Sequence, residues 1–313
     1  MWDTPAALSA SGSLLYQHGG TSSQIVNVDL HGAARVLIDS VQAYMHPRLS
    51  PDGRRLAIEV QGAASADIWI ADLVDHTNAL LTREGYNNRP EWSPDGRRVL
   101  YTSSREPRNA LWTQPADGSG NATMLLHVAS PIREGVFTLD GRSVLYRVDS
   151  PDSNRDVFQL PLSGAQQPIP ILATINDEKQ PRPSPDSRWL AYVSNESGRE
   201  EVYVRPLAQT GGRVPVSTSG GGEPLWSPDG KRLYYRSGTG LFAATIVTTP
   251  ALAVAGRQLL FTGSFATDEY HPNYDVTPDG RGFVMLRPVE ENRRLVVALN
   301  WSDELRERAG RNR

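Results

Sequence analysis

Pro90-Glu91-Trp92-Ser93-Pro94-Asp95-Gly96-Arg97-Arg98-Val99-Leu100-Tyr101 is the stretch that decides the fold, and its residues predict a β-hairpin. Ser93-Pro94-Asp95-Gly96 fits a type I turn, because Ser is favoured at the first position, Pro fixes φ at the second and Gly closes the turn. Glycine adopts the left-handed conformation at no steric cost, which allows a bulged hairpin. Val99 and Tyr101 then alternate along the outgoing strand, as expected for a sheet.

The same stretch recurs along the chain at intervals of 41 to 50 residues. Three close copies, two altered copies and a worn first copy accompany it: Ser50-Pro51-Asp52-Gly53, Ser227-Pro228-Asp229-Gly230, Thr277-Pro278-Asp279-Gly280, Ser184-Pro185-Asp186-Ser187, Thr138-Leu139-Asp140-Gly141 and Ser9-Ala10-Ser11-Gly12. The residue before each turn is apolar or Pro in every copy: Leu8, Leu49, Trp92, Phe137, Pro183, Trp226 and Val276. Self-similarity at this period with several strands per repeat indicates a β-propeller.

The predicted fold class is therefore all-β, a single propeller of four-stranded antiparallel blades, with seven blades favoured and six possible. Residues 1–300 are assigned to the propeller, and residues 301–313 to a tail with a short helix that Ser302 can cap. The last repeat has no fourth strand of its own. Residues 1–6 are expected to supply that strand and to close the ring, which would leave no long open edge.

Composition narrows the classes of function. The chain has 313 residues with a net charge of −3 and no long basic run, so nucleic acid is not an expected partner. The absence of cysteine excludes disulfides and Cys-ligated metals. Residues 1–5 lack the basic start and apolar run of a signal peptide, and no stretch has the character of a membrane helix. No cofactor and no membrane contact by the chain itself are expected.

The turn copies and their flanking strands resemble the TolB-like, WD-like propeller repeat family over roughly residues 8–305. Some stretches are closer to the C-terminal propeller of bacterial receptor-type serine/threonine kinases: residues 178–206, 217–229 and 274–280, with Asn300-Trp301 and Glu304-Leu305 at the end. In that family the propeller follows a kinase domain and usually one membrane span, and is taken to sense or bind something. The resemblance implies no catalytic residues here, and a periplasmic or extracellular location if the chain is such a tail; a free scaffold could be cytoplasmic.

A polar residue heads the innermost strand in six repeats, and Pro or Gly follows it each time. Equivalent positions in successive blades form a ring, so one mouth of the central channel is predicted to carry His46, Arg89, Glu134, Gln180, Glu223 and His271. Tyr44, Tyr86 and Tyr270 are expected beside them. The ring is interpreted either as a ligand site or as hydrated channel-mouth residues.

Two enzymatic alternatives stay open beside a non-catalytic binding propeller. If the channel holds a metal, His46, His271, Glu134 and Glu223 are its candidate ligands, and the protein would be a metal-dependent lyase or hydrolase acting on carbohydrate. The chain could also be the propeller of a prolyl-oligopeptidase-like enzyme. Neither a kinase motif nor Gly-x-Ser-x-Gly is present, so the sequence favours a sensor or interaction domain that binds a protein or small molecule through its loops.

Overall fold

Antiparallel strands make up the regular structure of the chain. The computed structural model describes residues 6–9, 14–18, 22–62, 65–150, 154–208, 212–289 and 294–298, and the side chains of these residues except 6–8, 14–18, 154 and 294–298. The described residues form two units, one of residues 23–287 and the other of residues 1–22 with 288–313. The first unit, called the ring unit below, contains six four-stranded sheets.

Five blades of the ring unit are each built from four consecutive strands. Blade 1 contains β5 (Tyr44–Leu49), β6 (Arg55–Gln61), β7 (Ala66–Asp72) and β8 (Thr77–Leu80). Blade 2 contains β9 (Asn87–Trp92), β10 (Arg98–Ser103), β11 (Ala110–Pro115) and β12 (Thr123–His127). Blade 3 contains β13 (Ile132–Phe137), β14 (Ser143–Ser150), β15 (Asn154–Pro161) and β16 (Ile169–Leu172). Blade 4 contains β17 (Glu178–Pro183), β18 (Trp189–Ser194), β19 (Glu201–Pro206) and β20 (Val214–Pro215). Blade 5 contains β21 (Gly222–Trp226), β22 (Arg232–Ser237), β23 (Gly240–Val247) and β24 (Ala253–Thr262).

Blade 6 joins strands from opposite ends of the ring unit. Its two inner strands are β25 (Tyr274–Val276) and β26 (Gly282–Pro288), and its two outer strands are β3 (Ser23–Asp29) and β4 (Ala34–Gln42). The free edge of β26 is therefore covered by β3. Position 282 requires glycine, because a Cβ there would lie 2.6 Å from the carbonyl oxygen of Val28 in β3.

The favoured count of seven blades is wrong, because the strands on either side of the first turn copy form no blade of the ring unit. Its flanking strands β1 (Ala6–Leu8) and β2 (Leu14–His18) pair with β27 (Arg294–Ala298) in a separate three-stranded sheet of order β1-β2-β27. The expected closure by residues 1–6 is also wrong, since β3 and β4 complete the last blade. Residues 1–5 lie outside the described part of the chain.

Six hydrophobic clusters lie at the six junctions between neighbouring blades. Alternate residues of one strand pack into the junctions on opposite faces of the blade, because successive side chains of a strand point to opposite faces of the sheet. In β10, Val99 and Tyr101 pack against blade 1, whereas Leu100 packs against blade 3. The junction of blades 6 and 1 has its own cluster, which includes Ile25 and Val284 of blade 6 together with Leu56 of blade 1. The apolar core is thus distributed around a closed ring.

The predicted turn geometry is confirmed in the six copies that belong to the ring. In the second blade, the Gly96 N–H donates to the Ser93 carbonyl at 2.8 Å, and Gly96 has a φ of +66°. The Ser93 hydroxyl donates to Asp95 at 2.6 Å and accepts from the Arg98 N–H at 2.9 Å. The same Ser/Thr-to-Asp hydrogen bond closes the other five turns.

No helix occurs within the described ranges, and none of their segments is an apolar helix that could cross a bilayer. The expected C-terminal helix at residues 301–313 lies outside the described residues, and so does the predicted domain boundary at residue 300. Both stay predictions.

Candidate functional site

Four of the six polar residues predicted at the heads of the inner strands sit at β-bulges in the left-handed conformation. His46, Arg89, Gln180 and Glu223 have φ of 52°, 53°, 56° and 54°. The ladder to the next strand shifts register at each of these positions. A proline follows each of the four, so the bulged residue precedes a residue that cannot donate to the ladder. The Pro-associated ring seen in the sequence is therefore a repeated backbone feature.

Hydrogen bonds at the heads of the inner strands connect neighbouring blades. The N–H of the bulged residue, or of Asn273 in blade 6, donates to a side chain of the preceding blade at five junctions. These hydrogen bonds, called the latches below, run from His46 to Asn273 (2.7 Å), Arg89 to Glu59 (3.3 Å), Gln180 to Glu134 (2.9 Å), Glu223 to Gln180 (2.6 Å) and Asn273 to Glu223 (2.7 Å). At the sixth junction, Arg89 Nη1 donates to the Arg133 carbonyl at 2.7 Å. Most of the predicted ring residues thus hold blades together.

A loop between β24 and β25 lies across the mouth that was predicted to bind a ligand. This loop, called the cross-channel segment (residues 263–273), belongs to the junction of blades 5 and 6 but contacts blades 3 and 4. Gln180 Nε2 donates to the Glu269 carbonyl at 3.0 Å. The Tyr270 ring lies 4.8 Å from the Arg155 guanidinium and 5.2 Å from Lys179 Nζ. The channel mouth is therefore occupied by protein.

The two channel histidines have opposite electrostatic environments. Burial lowers the pKa of His46, but the carboxylates of Glu59 and Asp268 outweigh burial and raise this pKa above its usual value. The pKa of His271 is held well below its usual value by burial and by Arg182 and Arg48. In neutral His271, Nδ1 can donate to Glu134 at 3.0 Å while Nε2 accepts from Arg182 at 3.3 Å. Glu91 Oε1 also lies 3.3 Å from Nε2, and Arg182 Nη2 contacts that oxygen at 3.0 Å.

The pKa values of the buried carboxyl groups Glu223 and Glu134 are also shifted in opposite directions. Burial raises the pKa of Glu223 to about 7. The charge of Arg236, whose Nε lies 3.5 Å from Glu223 Oε2, and the N–H groups of Asn273 and Asp268, at 2.7 and 3.3 Å, offset burial only partly. Glu134 is equally buried, but hydrogen bonding to His271 and the charge of Arg147 outweigh desolvation and lower its pKa to about 2. One buried carboxyl is thus poised to titrate near neutrality.

The nine predicted residues are brought together only in part. His46, Glu134, Gln180, Glu223 and His271 are buried in one network, and Arg89 borders it. Tyr44 is buried with its hydroxyl 2.6 Å from Ser40 Oγ, while Tyr86 and Tyr270 are half-buried. No group of three His, Asp or Glu residues within the described chain is arranged to hold a metal ion. The four metal candidates are instead surrounded by protein hydrogen-bond partners.

The opposite face carries an open cavity of about 350 Å³ at the channel axis. In every blade, the residue before the turn and the second residue of the turn contribute to the wall of this cavity. This turn-face funnel is lined by Leu49, Trp92, Phe137, Pro183, Trp226, Val276, Pro51, Pro94, Leu139, Pro185, Pro228 and Pro278.

The funnel has a charged floor. Glu91 Oε1 lies 2.8 Å from Arg48 Nε and 3.0 Å from Arg182 Nη2, so one carboxylate bridges two buried guanidinium groups. Arg48 also donates to the carbonyl oxygens of Tyr274 and Pro272, both at 2.8 Å. Burial raises the pKa of Asp275, the fourth charged floor residue, to about 6. The floor is thus an internally neutralised polar layer below an apolar wall.

Sequence reasoning missed the funnel. An apolar column before the turns is what packing between neighbouring blades requires, and Trp92 and Trp226 do pack there. The same two residues also line the funnel. The sequence does contain a signal for the funnel, because an apolar residue and a proline recur at fixed positions in most copies of the turn. Equivalent positions on the innermost hairpins of all blades lie around the channel axis, so this recurring apolar residue and proline predict an apolar ring there.

A closed propeller with one plugged mouth and one apolar funnel defines the class of protein. A family model described as the TolB beta propeller domain (PD40) matches residues 5–181. The match covers more than half of the chain, and the chain therefore belongs to this family.

Individual relatives agree with the family. The Tol-Pal system protein TolB of Anaeromyxobacter dehalogenans strain 2CP-C is 29% identical over 105 residues, which are 33% of this chain and 24% of that protein. The uncharacterized peptidase YuxL of Bacillus subtilis strain 168 is 25% identical over 209 residues, 63% of this chain and 30% of that protein. The matches thus span less than a third of either relative's length. A protein assigned as TolB from Agrobacterium tumefaciens superposes with a TM-score of 0.69 at 18% identity, over 87% of this chain and 100% of that chain, a likeness of fold alone.

Proposed function

We propose that this TolB-like propeller is a non-catalytic binding protein, and that it holds an extended segment of a protein partner in the turn-face funnel. The observation that carries the proposal is the funnel wall, to which all six blades contribute apolar or proline side chains. Concave apolar surfaces with a few fixed polar groups are the usual form of a binding site. Aromatic anchors such as Trp92 and Trp226 are enriched where partners bind.

The polar groups at the funnel favour binding over catalysis. The hydroxyls of Ser50, Ser93 and Ser227 reach the funnel but donate to the Asp of their own turns, at 2.6 Å each. Glu91 is neutralised by two arginines. A nucleophile needs a neighbouring base or a lowered pKa of its own. The carboxylates that accept these protons are poor bases, because the Ser hydroxyl and a backbone N–H of the same turn lower the pKa of each Asp.

The experiment is a selection of displayed peptides on the purified chain, followed by affinity measurements on the selected peptides with two variants. Leu139→Glu places a charge on the funnel rim, where Leu139 is 49% exposed. It should weaken the selected peptides at least about tenfold. Ile175→Glu makes the same kind of change at an 87% exposed site outside the funnel, and should leave affinity unchanged. Failure to select any peptide, or equal affinity for Leu139→Glu and the parent chain, would reject the proposal.

The finer assignment is a sensor or interaction domain of a bacterial receptor-type serine/threonine kinase, which would place the propeller outside the cytoplasm. It is supported by the resemblance of residues 178–206 and 274–280 to such propellers. The test is the reading frame that encodes the chain. An in-frame kinase domain and membrane span upstream would support this role, and their absence would remove it without affecting the funnel.

A further inference from the structure

A second cavity lies on the face opposite the funnel, between blades 2 and 3. This cavity of about 260 Å³, called the inter-blade cleft below, is formed where β9 and β13 begin and where β10 runs into β11. Its lining includes Tyr86, Asn88, Arg89, Ser104, Arg108 and Arg133. It is separate from the cross-channel segment, no residue of which lines it.

The cleft has a marked excess of positive charge. Three of its lining residues are arginines and none is acidic, although the whole chain carries a net charge of −3. Like charges around one cavity repel each other, and the repulsion grows as water is excluded. An anion in the cleft would remove this repulsion, and a concave site lined by one sign of charge concentrates ions of the other sign.

Arg89 is the inner wall of the cleft and has unused hydrogen-bonding capacity. Its Nη1 donates to the Arg133 carbonyl at 2.7 Å, but its Nε is buried without a hydrogen-bond partner in the described structure. No carboxylate of the described residues lies within 4.0 Å of its guanidinium. A buried donor without a partner is costly, and a bound acceptor would satisfy it.

Arg108 and Arg133 form the outer rim. Their Nε atoms lie 3.0 Å from Glu106 and 2.5 Å from Asp149, and their side chains are 75% and 49% exposed. Glu106 is 77% exposed, and an exposed pair of this kind contributes little. Asp149 is half-buried and also lies 3.2 Å from Arg147 Nη1, so it keeps a cationic partner if Arg133 turns to a bound anion. Neither carboxylate lines the cleft. Tyr86 adds a hydroxyl whose pKa burial raises to about 12, so it stays a hydrogen-bond donor.

We propose that the inter-blade cleft binds a small organic anion, a sugar that carries a phosphate or a carboxylate. The guanidinium groups of Arg89, Arg108 and Arg133 hold the anionic group, since the planar fork of Arg matches the geometry of both oxyanions. Tyr86, Asn88 and Ser104 face the hydroxylated part of the ligand. The site is independent of the funnel, so either can be occupied without the other.

The test is calorimetric titration of the full chain with glucose 6-phosphate, glucuronate, inorganic phosphate and glucose. At least one of the two charged sugars should bind, and glucose should not. A preference between the two sugars identifies the anionic group. Inorganic phosphate should bind more weakly than glucose 6-phosphate if the sugar contacts contribute.

Variants decide whether binding occurs in the cleft. Arg108→Gln/Arg133→Gln alters only rim side chains and should weaken the bound sugar at least about tenfold without loss of folding. Arg142→Gln removes one charge from an 85% exposed position in a turn of the opposite face and should have no effect. Arg89→Gln should also weaken binding, with a melting curve to confirm that the variant is folded. The proposal is overturned if neither charged sugar binds at millimolar concentration, if glucose binds as well as they do, or if the double variant binds like Arg142→Gln.

Discussion

At the scale of single residues, left-handed backbone conformations account for the position of the polar side chains around the channel. A non-glycine residue with positive φ is strained by about 1–2 kcal/mol. His46, Arg89, Gln180 and Glu223 all accept this strain, and each directs its N–H to an acceptor on the preceding blade. A buried N–H without a partner costs a similar amount. The hydrogen bond of each latch therefore offsets the strain of the conformation that forms it. These four residues of the polar ring therefore have a structural role.

The pairing of these residues could be predicted from the sequence only in outline. Periodicity placed His46, Glu134, Glu223 and His271 at the channel, and they lie there. It could not predict that His271 contacts Glu134 at 3.0 Å, because 137 residues separate them and the contact depends on the path of the cross-channel segment. Loop paths depend on side-chain contacts that carry no repeat, so the plugged mouth was not predictable.

Glu223 should make the stability of the ring depend on pH. Its pKa is about 7 in the folded chain against a usual 4.5, so its stabilising contribution is complete below the unfolded value and is lost as pH rises through about 7. The loss amounts to roughly 3 kcal/mol at most. In Glu223→Gln this loss should disappear, because the amide oxygen can still accept from Asn273 and cannot ionise.

Urea unfolding of both proteins at about pH 5 and about pH 8 measures the effect. The fall in unfolding free energy between the two values should be smaller in the variant, and a pH-independent cost of placing the amide beside Arg236 shifts both values equally. Glu84→Gln, at a carboxylate that is 78% exposed, should keep the pH dependence of the parent. An identical fall in Glu223→Gln and the parent would exclude Glu223 as its origin.

At the scale of elements, the turns of neighbouring blades contact each other through Pro and Gly. A Cβ added to Gly96 would lie 3.4 Å from Pro51 Cδ, and one added to Gly53 would lie 3.3 Å from Pro278 Cγ. The Gly of one turn therefore leaves room for the Pro of the turn before it. Blades 5 and 6 repeat the arrangement, with Gly230 near Pro185 and Gly280 near Pro228.

This contact explains why two departures from the motif occur together. Leu139 replaces the Pro of the blade 3 turn, and Ser187 replaces the Gly of the blade 4 turn that would face it. The Asp140 N–H donates to Ser187 Oγ at 3.1 Å, so a hydrogen bond takes the place of the Pro–Gly contact that Gly53, Gly96, Gly230 and Gly280 make at their junctions. From the sequence the two changes looked independent, since neither the order nor the facing of the turns was known.

Ser187 should be a strained position in the turn. It has a φ of +55°, so Ser187→Gly should raise the free energy of unfolding by about 1 kcal/mol in spite of the lost hydrogen bond, which is exposed. Ser187→Ala is the matched control, because it removes the hydroxyl and keeps the strain; it should be slightly less stable than the parent. Denaturant unfolding of the three proteins measures both effects, and a Ser187→Gly variant less stable than Ser187→Ala would contradict the strain argument.

At the scale of the whole molecule, strands and turns were predictable because each repeat encodes them locally. The number of blades was not, because it depends on which strands pair across the ends of the chain. Seven turn copies gave an expectation of seven blades, whereas β26 pairs with β3, and β2, the strand after the first copy, pairs with β27. The number of repeats cannot distinguish a six-bladed from a seven-bladed ring. In both, each inner strand has an antiparallel neighbour to pair with.

The ring has a functional consequence for the whole molecule. Six equivalent turns converge on one funnel, while the opposite mouth is filled by the cross-channel segment and its partners Gln180 and Lys179. A rigid ring with one open apolar face is suited to hold a partner without rearrangement, which limits the entropic cost of binding. The proposed anion site at the inter-blade cleft uses the other face and leaves the funnel free.

Closure of the ring by β26 and β3 is the claim on which the site geometry depends. Amide-to-amide nuclear Overhauser contacts in the deuterated chain measure strand pairing directly. Contacts should connect residues of β26 (Gly282–Pro288) with residues of β3 (Ser23–Asp29), and further contacts should connect β2 (Leu14–His18) with β27 (Arg294–Ala298). Contacts of β3 with β2, and of β26 with β27, would instead establish a seven-bladed ring and contradict the account.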